Sequence, residues 1–145
     1  MRAKRTPKRK EHCSMTDIVN DVLAKHNAGN TPLDVFKLCR ENGIALIPYS
    51  APEARRMAGL VGCGTWMDKT PGFLVQVAGT SSIFYDDTRS IEYQHATLAH
   101  ELGHYLLGHL FAGPYEYKCK ECNECQANAF AYLLLFSERK GAKSK

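Results

Sequence analysis

The run His100-Glu101-Leu102-Gly103-His104 limits what this 145-residue chain can fold into more than any other feature. Four residues advance a helix by about 400°, so the two imidazoles would lie only about 40° apart, one turn from each other. Around them, Ala96, Leu98, Ala99, Leu102, Leu106 and Leu107 make the same segment apolar on more than one side. A helix that is apolar most of the way round is buried. Two histidines and a glutamate on such a helix need partners, because an unpaired buried polar group costs ~1–3 kcal/mol. A pair of histidines with no ligand fits these surroundings poorly. A tetrahedral Zn²⁺ fits them well, held by the two imidazoles at ~2.0–2.1 Å. Glu101 then stands where it can reach a water without itself being a ligand. With six histidines in the chain, chance supplies roughly 0.015 such motifs.

A zinc site that does chemistry takes a third protein ligand and keeps one position open. The extended pattern H-E-x-x-H-x-x-G-x-x-H fails, because Leu107 and Leu110 stand where Gly and His are required. His109 falls about 160° from the centre of the ligand face. The remaining candidates lie downstream: Glu121, Glu124 and the thiols of Cys119-x-x-Cys122-x-x-Cys125. A helix places Glu124 and Asn128 about 40° apart and Glu121 about 60° to one side, so spacing alone leaves both glutamates open. Three clustered thiols are one short of a closed structural zinc site. Cys63 could complete one, but simple reduced thiols near a helix start are the expectation.

The rest of the chain reads as mixed α and β. Thr16 and Asp17 suit a helix start, with Ile18, Val19, Val22 and Leu23 at helical spacing. Thr31-Pro32 is expected to open a second helix carrying Leu33, Phe36, Leu38 and Cys39, and Gly43 to stop it. Ile44 to Pro48 reads as a strand, and residues 50–58 as a loop or weak helix. From Gly59 to Tyr85 the texture is β, with Leu60-Val61, Thr65-Trp66-Met67, Phe73 to Val77 and Ile83 to Tyr85 between turn-like segments. Gly62 and Gly64 flanking Cys63 would let a strand bulge. Thr88 or Ser90 can start the long helix to about His109, and a last helix is expected from about Glu121 to Phe136. The fold class is α+β, with a small, mostly antiparallel sheet between helices at both ends.

Charge is unevenly placed. Residues 1–10 carry six Lys or Arg and no acid, and residues 138–145 carry four bases and Glu138, while the body between is mildly acidic. The expected organisation is a basic, disordered tail over 1–14, one domain over 15–137 and a second basic tail over 138–145. Met15 reads as an alternative chain start. An acidic body argues against a groove tracking nucleic acid, beyond weak contact from the tails. No apolar run approaches the ~20 residues of a membrane span, and polar Glu11 to Asn20 follows the basic start where a signal peptide would be apolar. The expected location is the cytoplasm, with all six cysteines reduced.

Thr97-Leu98-Ala99-His100-Glu101-Leu102-Gly103-His104-Tyr105-Leu106-Leu107-Gly108-His109, followed by Glu124-Cys125-Gln126-Ala127-Asn128-Ala129-Phe130-Ala131, resembles the ImmA/IrrE family of metallopeptidases. That family pairs an H-E-[LI]-G-H helix with a downstream E-x-x-A-N-x-F-A helix. The resemblance implies a zincin-like domain, Glu124 as third zinc ligand beside His100 and His104, Asn128 supporting the site, and Glu101 as general base. It further implies a zinc-dependent endopeptidase acting on a specific cytosolic protein, for example a helix-turn-helix repressor of a phage, mobile element or stress response. A zinc-binding regulatory module without catalysis, or a toxin–antitoxin component, is the alternative. The three-cysteine cluster departs from the family pattern. Tyr93, His95, Tyr105, Tyr115 and Tyr117 are the candidates for a group stabilising the oxyanion.

Overall fold

A three-stranded sheet and two long helices organise the computed structural model, which describes residues 14–25, 33–108 and 120–143, with side chains of the last segment described over 123–136. The elements in chain order are α1 (Met15–Lys25), α2 (Val35–Glu41), β1 (Ile44–Pro48), α3 (Ala54–Leu60), a 3-10 turn (Gly64–Asp68), β2 (Gly72–Val77), β3 (Thr80–Tyr85), α4 (Ile91–Leu106) and α5 (Lys120–Lys143). The fold is α+β. The strand order is β1-β3-β2. β2 and β3 form an antiparallel hairpin closed at Val77 and Thr80. Its two-residue turn, Ala78-Gly79, has both φ angles positive, at 52° and 80°, which matches the twist of the flanking strands.

β1 runs parallel to β3, with Ile44 opposite Ser81 and Pro48 opposite Tyr85. The sheet is therefore mixed where a mostly antiparallel one was expected. The chain between β1 and β3 includes α3 and β2, and an apolar strand pattern encodes which face is buried, not which way the strand runs.

Alternation along the strands divides the core in two. Ile44, Ile83 and Tyr85 join Val19, Val35, Leu38, Leu98, Leu102, Phe130 and Leu134 in the main cluster, on the side of α4 and α5. Phe73 and Phe84, stacked at 4.9 Å between ring centroids, point the other way, toward Ala58, Cys63, Trp66 and Met67. Residues Leu60-Val61 and Thr65-Trp66-Met67, expected as strands, are instead the end of α3 and the 3-10 turn. Short apolar runs cover a sheet face equally well as strand or as helical turn, so the periodicity does not separate them. Gly62 accordingly ends a helix and does not make a strand bulge.

Helix starts also differ from expectation. Ser14 caps α1: its Oγ accepts from the Asp17 N–H, and the Asp17 carboxylate accepts from the Ser14 N–H. This reciprocal pair leaves Thr16 inside the helix. Asp34 caps α2 by accepting from the Lys37 N–H; Thr31-Pro32 lies outside the described residues. Ser90 caps α4 through the Tyr93 N–H, as its sequence position suggests. α5 continues to Lys143, past the expected end at Phe136.

Two close approaches place α4. A Cβ on Gly72 would collide with the Thr97 side chain, so the start of β2 lies against α4 three residues before His100. A Cβ on Gly103 would lie 3.1–3.2 Å from three atoms of Phe130, so α5 lies against α4 one residue before His104.

Candidate metal centre

α4 presents its motif from inside the core. Leu98, Ala99 and Leu102 are fully buried, and Glu101 and His104 are only 8% and 2% exposed. The expectation of a buried helix holds over Thr97–His104 apart from His100, while Leu106 and Leu107 are partly buried and Ala96 is exposed. His100 is half-buried, so the motif opens to solvent on one side only.

α5 crosses beside it. Ala127, Phe130, Ala131 and Leu134 bury one face of α5, and Glu124 comes up next to the histidines. Its Oε1 lies 3.0 Å from His100 Nε2 and its Oε2 lies 3.0 Å from His104 Nε2. The two Nε2 atoms are 3.2 Å apart. His100, His104 and Glu124 are the His, Cys, Asp or Glu cluster, among the described residues, whose donor atoms converge closely enough to hold a metal ion.

Hydrogen bonding prepares His100 for that task. Its Nδ1 lies 2.8 Å from Asn128 Oδ1. Donation of Nδ1–H to the amide oxygen leaves the Nε2 lone pair aimed at Glu124 and His104. Nε2 lone pairs and two carboxylate oxygens around one point repel one another unless a proton or a cation sits among them. Two imidazole nitrogens with a carboxylate are a suitable donor set for zinc. The residues thus fit a bound metal.

Glu101 has a different environment from Glu124. Burial, and then the Glu124 charge, hold its carboxyl well above the usual carboxylate range. Glu124 stays 41% exposed at its side chain.

Other expected contributors are elsewhere. Cys63 belongs to the cluster on the far side of the sheet, and burial raises its thiol pKa; it is not part of any α5 thiol site. Cys125 is exposed on α5. Cys119, His109, Tyr115 and Tyr117 lie outside the described residues, as do the side chains of Glu121 and Cys122. The Tyr105 hydroxyl donates to the Asn42 carbonyl at 3.4 Å. His95 packs edge-on against Phe36 at 5.3 Å. Tyr93 lies under the Arg89 guanidinium at 4.7 Å, two turns before His100. Trp66 packs on Phe73.

Sequence reasoning read Gly103 only as part of a motif. Its structural part, the close contact with Phe130, had one available signal: a glycine inside an otherwise strong helix pattern.

A family model for the IrrE N-terminal-like domain, peptidase family M78, matches residues 64–143. No curated protein and no solved structure matches the chain significantly. The matched span begins at the 3-10 turn and takes in the hairpin, the His100–His104 motif and the helix carrying Glu124, so that the chain belongs to the IrrE N-terminal-like, or ImmA/IrrE, family of peptidases.

Proposed function

We propose that this protein is a zinc-dependent endopeptidase in which His100, His104 and Glu124 hold the metal and Glu101 is the general base. The observation that carries the proposal is the seat of Glu124, with one carboxylate oxygen 3.0 Å from each Nε2. A zinc ion held there would polarise a peptide carbonyl and make water acidic enough to attack near neutral pH. Glu101 takes the proton from the attacking water and passes it to the leaving amine. Its place beside the two ligand histidines, buried in the same helix, is what supports that role. Asn128 holds the His100 ring and its tautomer. A structural metal site needs no buried carboxylate beside it, so Glu101 also supports catalysis over a binding-only role.

The proposed substrate is a specific cytoplasmic protein, a helix-turn-helix repressor of a phage, mobile element or stress response being the case to test first. Among the described residues no helix is long and apolar enough to cross a membrane. The test incubates helix-turn-helix regulators encoded beside this gene with the wild-type chain and with Glu101→Gln, each with and without a chelator. Cleavage should require the metal and fall by ~10²-fold or more in Glu101→Gln, while zinc content and folding survive. A biological response that persists undiminished in Glu101→Gln would replace catalysis with the binding-only reading. Loss of zinc in Glu101→Gln would make that carboxylate structural.

A further inference from the structure

α4 carries a second feature on the face of its two histidines. Tyr93 stands seven residues before His100, so it points within about 20° of it and lies about 10.5 Å back along the helix axis. Between them on the same side stands Ala96, small and exposed. Thr97, about 60° round from His100, is closed off by the start of β2. Tyr93 therefore ends an open strip without charge that runs along α4 from the half-buried His100.

The Tyr93 ring is 43% exposed, yet it is held in place. The Arg89 guanidinium lies over one face at 4.7 Å. Arg89 Nε donates in turn to Asp86 Oδ2 at 3.1 Å, and the Asp86 carboxylate also accepts from the Thr88 N–H and hydroxyl. A ring fixed before binding loses little freedom when another group packs on it.

We propose that Tyr93 is a specificity-determining residue of the peptidase, its ring receiving a large apolar side chain of the substrate at the third residue from the scissile bond. The inference rests on the metal centre and reaction proposed above. An extended peptide advances about 3.3 Å per residue, so three residues cover about 10 Å, the distance from His100 to Tyr93 along α4. The class of side chain follows from the charges around the ring. The Arg89 charge is already met by Asp86, and Glu92 is exposed in the first turn of α4, so an acidic side chain finds no unmatched cation. A basic one meets the Arg89 guanidinium itself. Tyr93 and Ala96 offer apolar surface to a side chain that carries no charge.

Peptides anchored at the metal read this site without turnover, because a hydroxamate occupies the open zinc position. The full chain loaded with zinc is titrated calorimetrically with two series, N-acetyl-Xaa-Gly-Gly-hydroxamate for one side of the scissile position and the hydroxamate of succinyl-Gly-Xaa-amide for the other. Xaa is glycine, leucine, phenylalanine or glutamate. In one of the two series leucine or phenylalanine should bind on the order of 10-fold more tightly than glycine, and glutamate no more tightly. Tyr93→Ser should erase that gain while binding the glycine peptide as the wild type does, which shows that fold and metal centre are intact. Tyr93→Phe should keep it. No gain in either series, a gain that survives Tyr93→Ser, or tighter binding of glutamate than of leucine would overturn the proposal. Hydroxamates that bind the metal-free chain as well as the loaded one would refute the metal centre itself, and this proposal with it.

Discussion

Gly103→Ala puts one methyl group at the place where α4 and α5 come closest. Its Cβ would lie 3.1 Å from Phe130 Cδ1 and 3.2 Å from Phe130 Cβ and Cγ, where ordinary contact begins at 3.4 Å. Rotating the ring moves Cδ1 aside, but Phe130 Cβ is fixed to the α5 backbone, so the helix itself must yield by a few tenths of an ångström. Two effects oppose each other. Alanine is favoured over glycine in a helix interior by ~0.8–1.0 kcal/mol. Overpacking a buried contact costs ~1–3 kcal/mol. Phe130 is fully buried and its Cβ cannot move without the α5 backbone, so the steric cost should win by about 1 kcal/mol. In a domain of this size that lowers Tm by roughly 3–4 °C. The same displacement draws Glu124 away from two nitrogens that its oxygens now face at 3.0 Å, and zinc affinity should fall on the order of 10-fold. Thermal unfolding by circular dichroism and a competition titration for zinc measure the two effects. In a Phe130→Leu background, Gly103→Ala should recover at least ~0.5 kcal/mol of its cost, the coupling expected of residues in contact. If Gly103→Ala alone raised Tm and left zinc affinity unchanged, this contact would not be what sets the spacing of the two helices.

The ligand assignment predicts one tightly bound zinc per chain, lost in His100→Ala and in His104→Ala, and weakened far more by Glu124→Ala than by Glu121→Ala, all by metal analysis of purified protein. Equal loss on replacing Cys122 or Cys125 would point to a thiolate ligand instead. Asn128→Ala should weaken zinc binding by about 10–100-fold without unfolding the chain, and unchanged affinity would remove Asn128 from the site. For the metal-free chain, the raised pKa of Glu101 means that, above its usual 4.5, the folded state keeps a proton that the unfolded state has released. Stability should therefore fall as pH rises through that window, and Glu101→Gln should flatten the slope in denaturant titrations; an identical slope in both proteins would refute it.

The parts of this molecule that were legible in the sequence are those written at short range. His100 and His104 share a face because they are four apart, Ser90 caps α4 from the adjacent position, and Glu124 and Asn128 share a face for the same reason. That Glu124 comes to lie beside the two histidines was not legible from spacing. It depends on which face of α5 meets α4, and Phe130 against Gly103 sets that through a contact between residues far apart in sequence. Phe73 to Val77 and Ile83 to Tyr85 were recognisable as strands because turn-like residues separate two β-rich apolar runs, although Thr80 and Ser81 prove to belong to the second strand. Trp66 and Met67 were not recognisable as a 3-10 turn, because their burial against Phe73 and Phe84 looks the same in a one-dimensional pattern as a strand's.

The two glycine contacts also explain why the candidate site is made of helices that differ so much in burial. Gly72 lets the sheet close on α4 at Thr97, and Gly103 lets α5 close on α4 at Phe130. α4 is thereby enclosed between the sheet and a helix, and Glu101 and His104 lose water. α5, outermost of the three, keeps Glu124 partly wet. The two carboxylates consequently belong to different electrostatic settings within one cluster. Glu124 keeps its carboxylate in contact with water and close to both imidazoles, as suits a ligand. Glu101, which in the metal-free chain is held above the usual carboxylate range by burial and then by the Glu124 charge, sits where a group that gains and returns a proton is needed in the proposed chemistry. Exchanging their burial would spoil both roles, so the layer order, sheet then α4 then α5, matters to the proposed chemistry as much as the motif does.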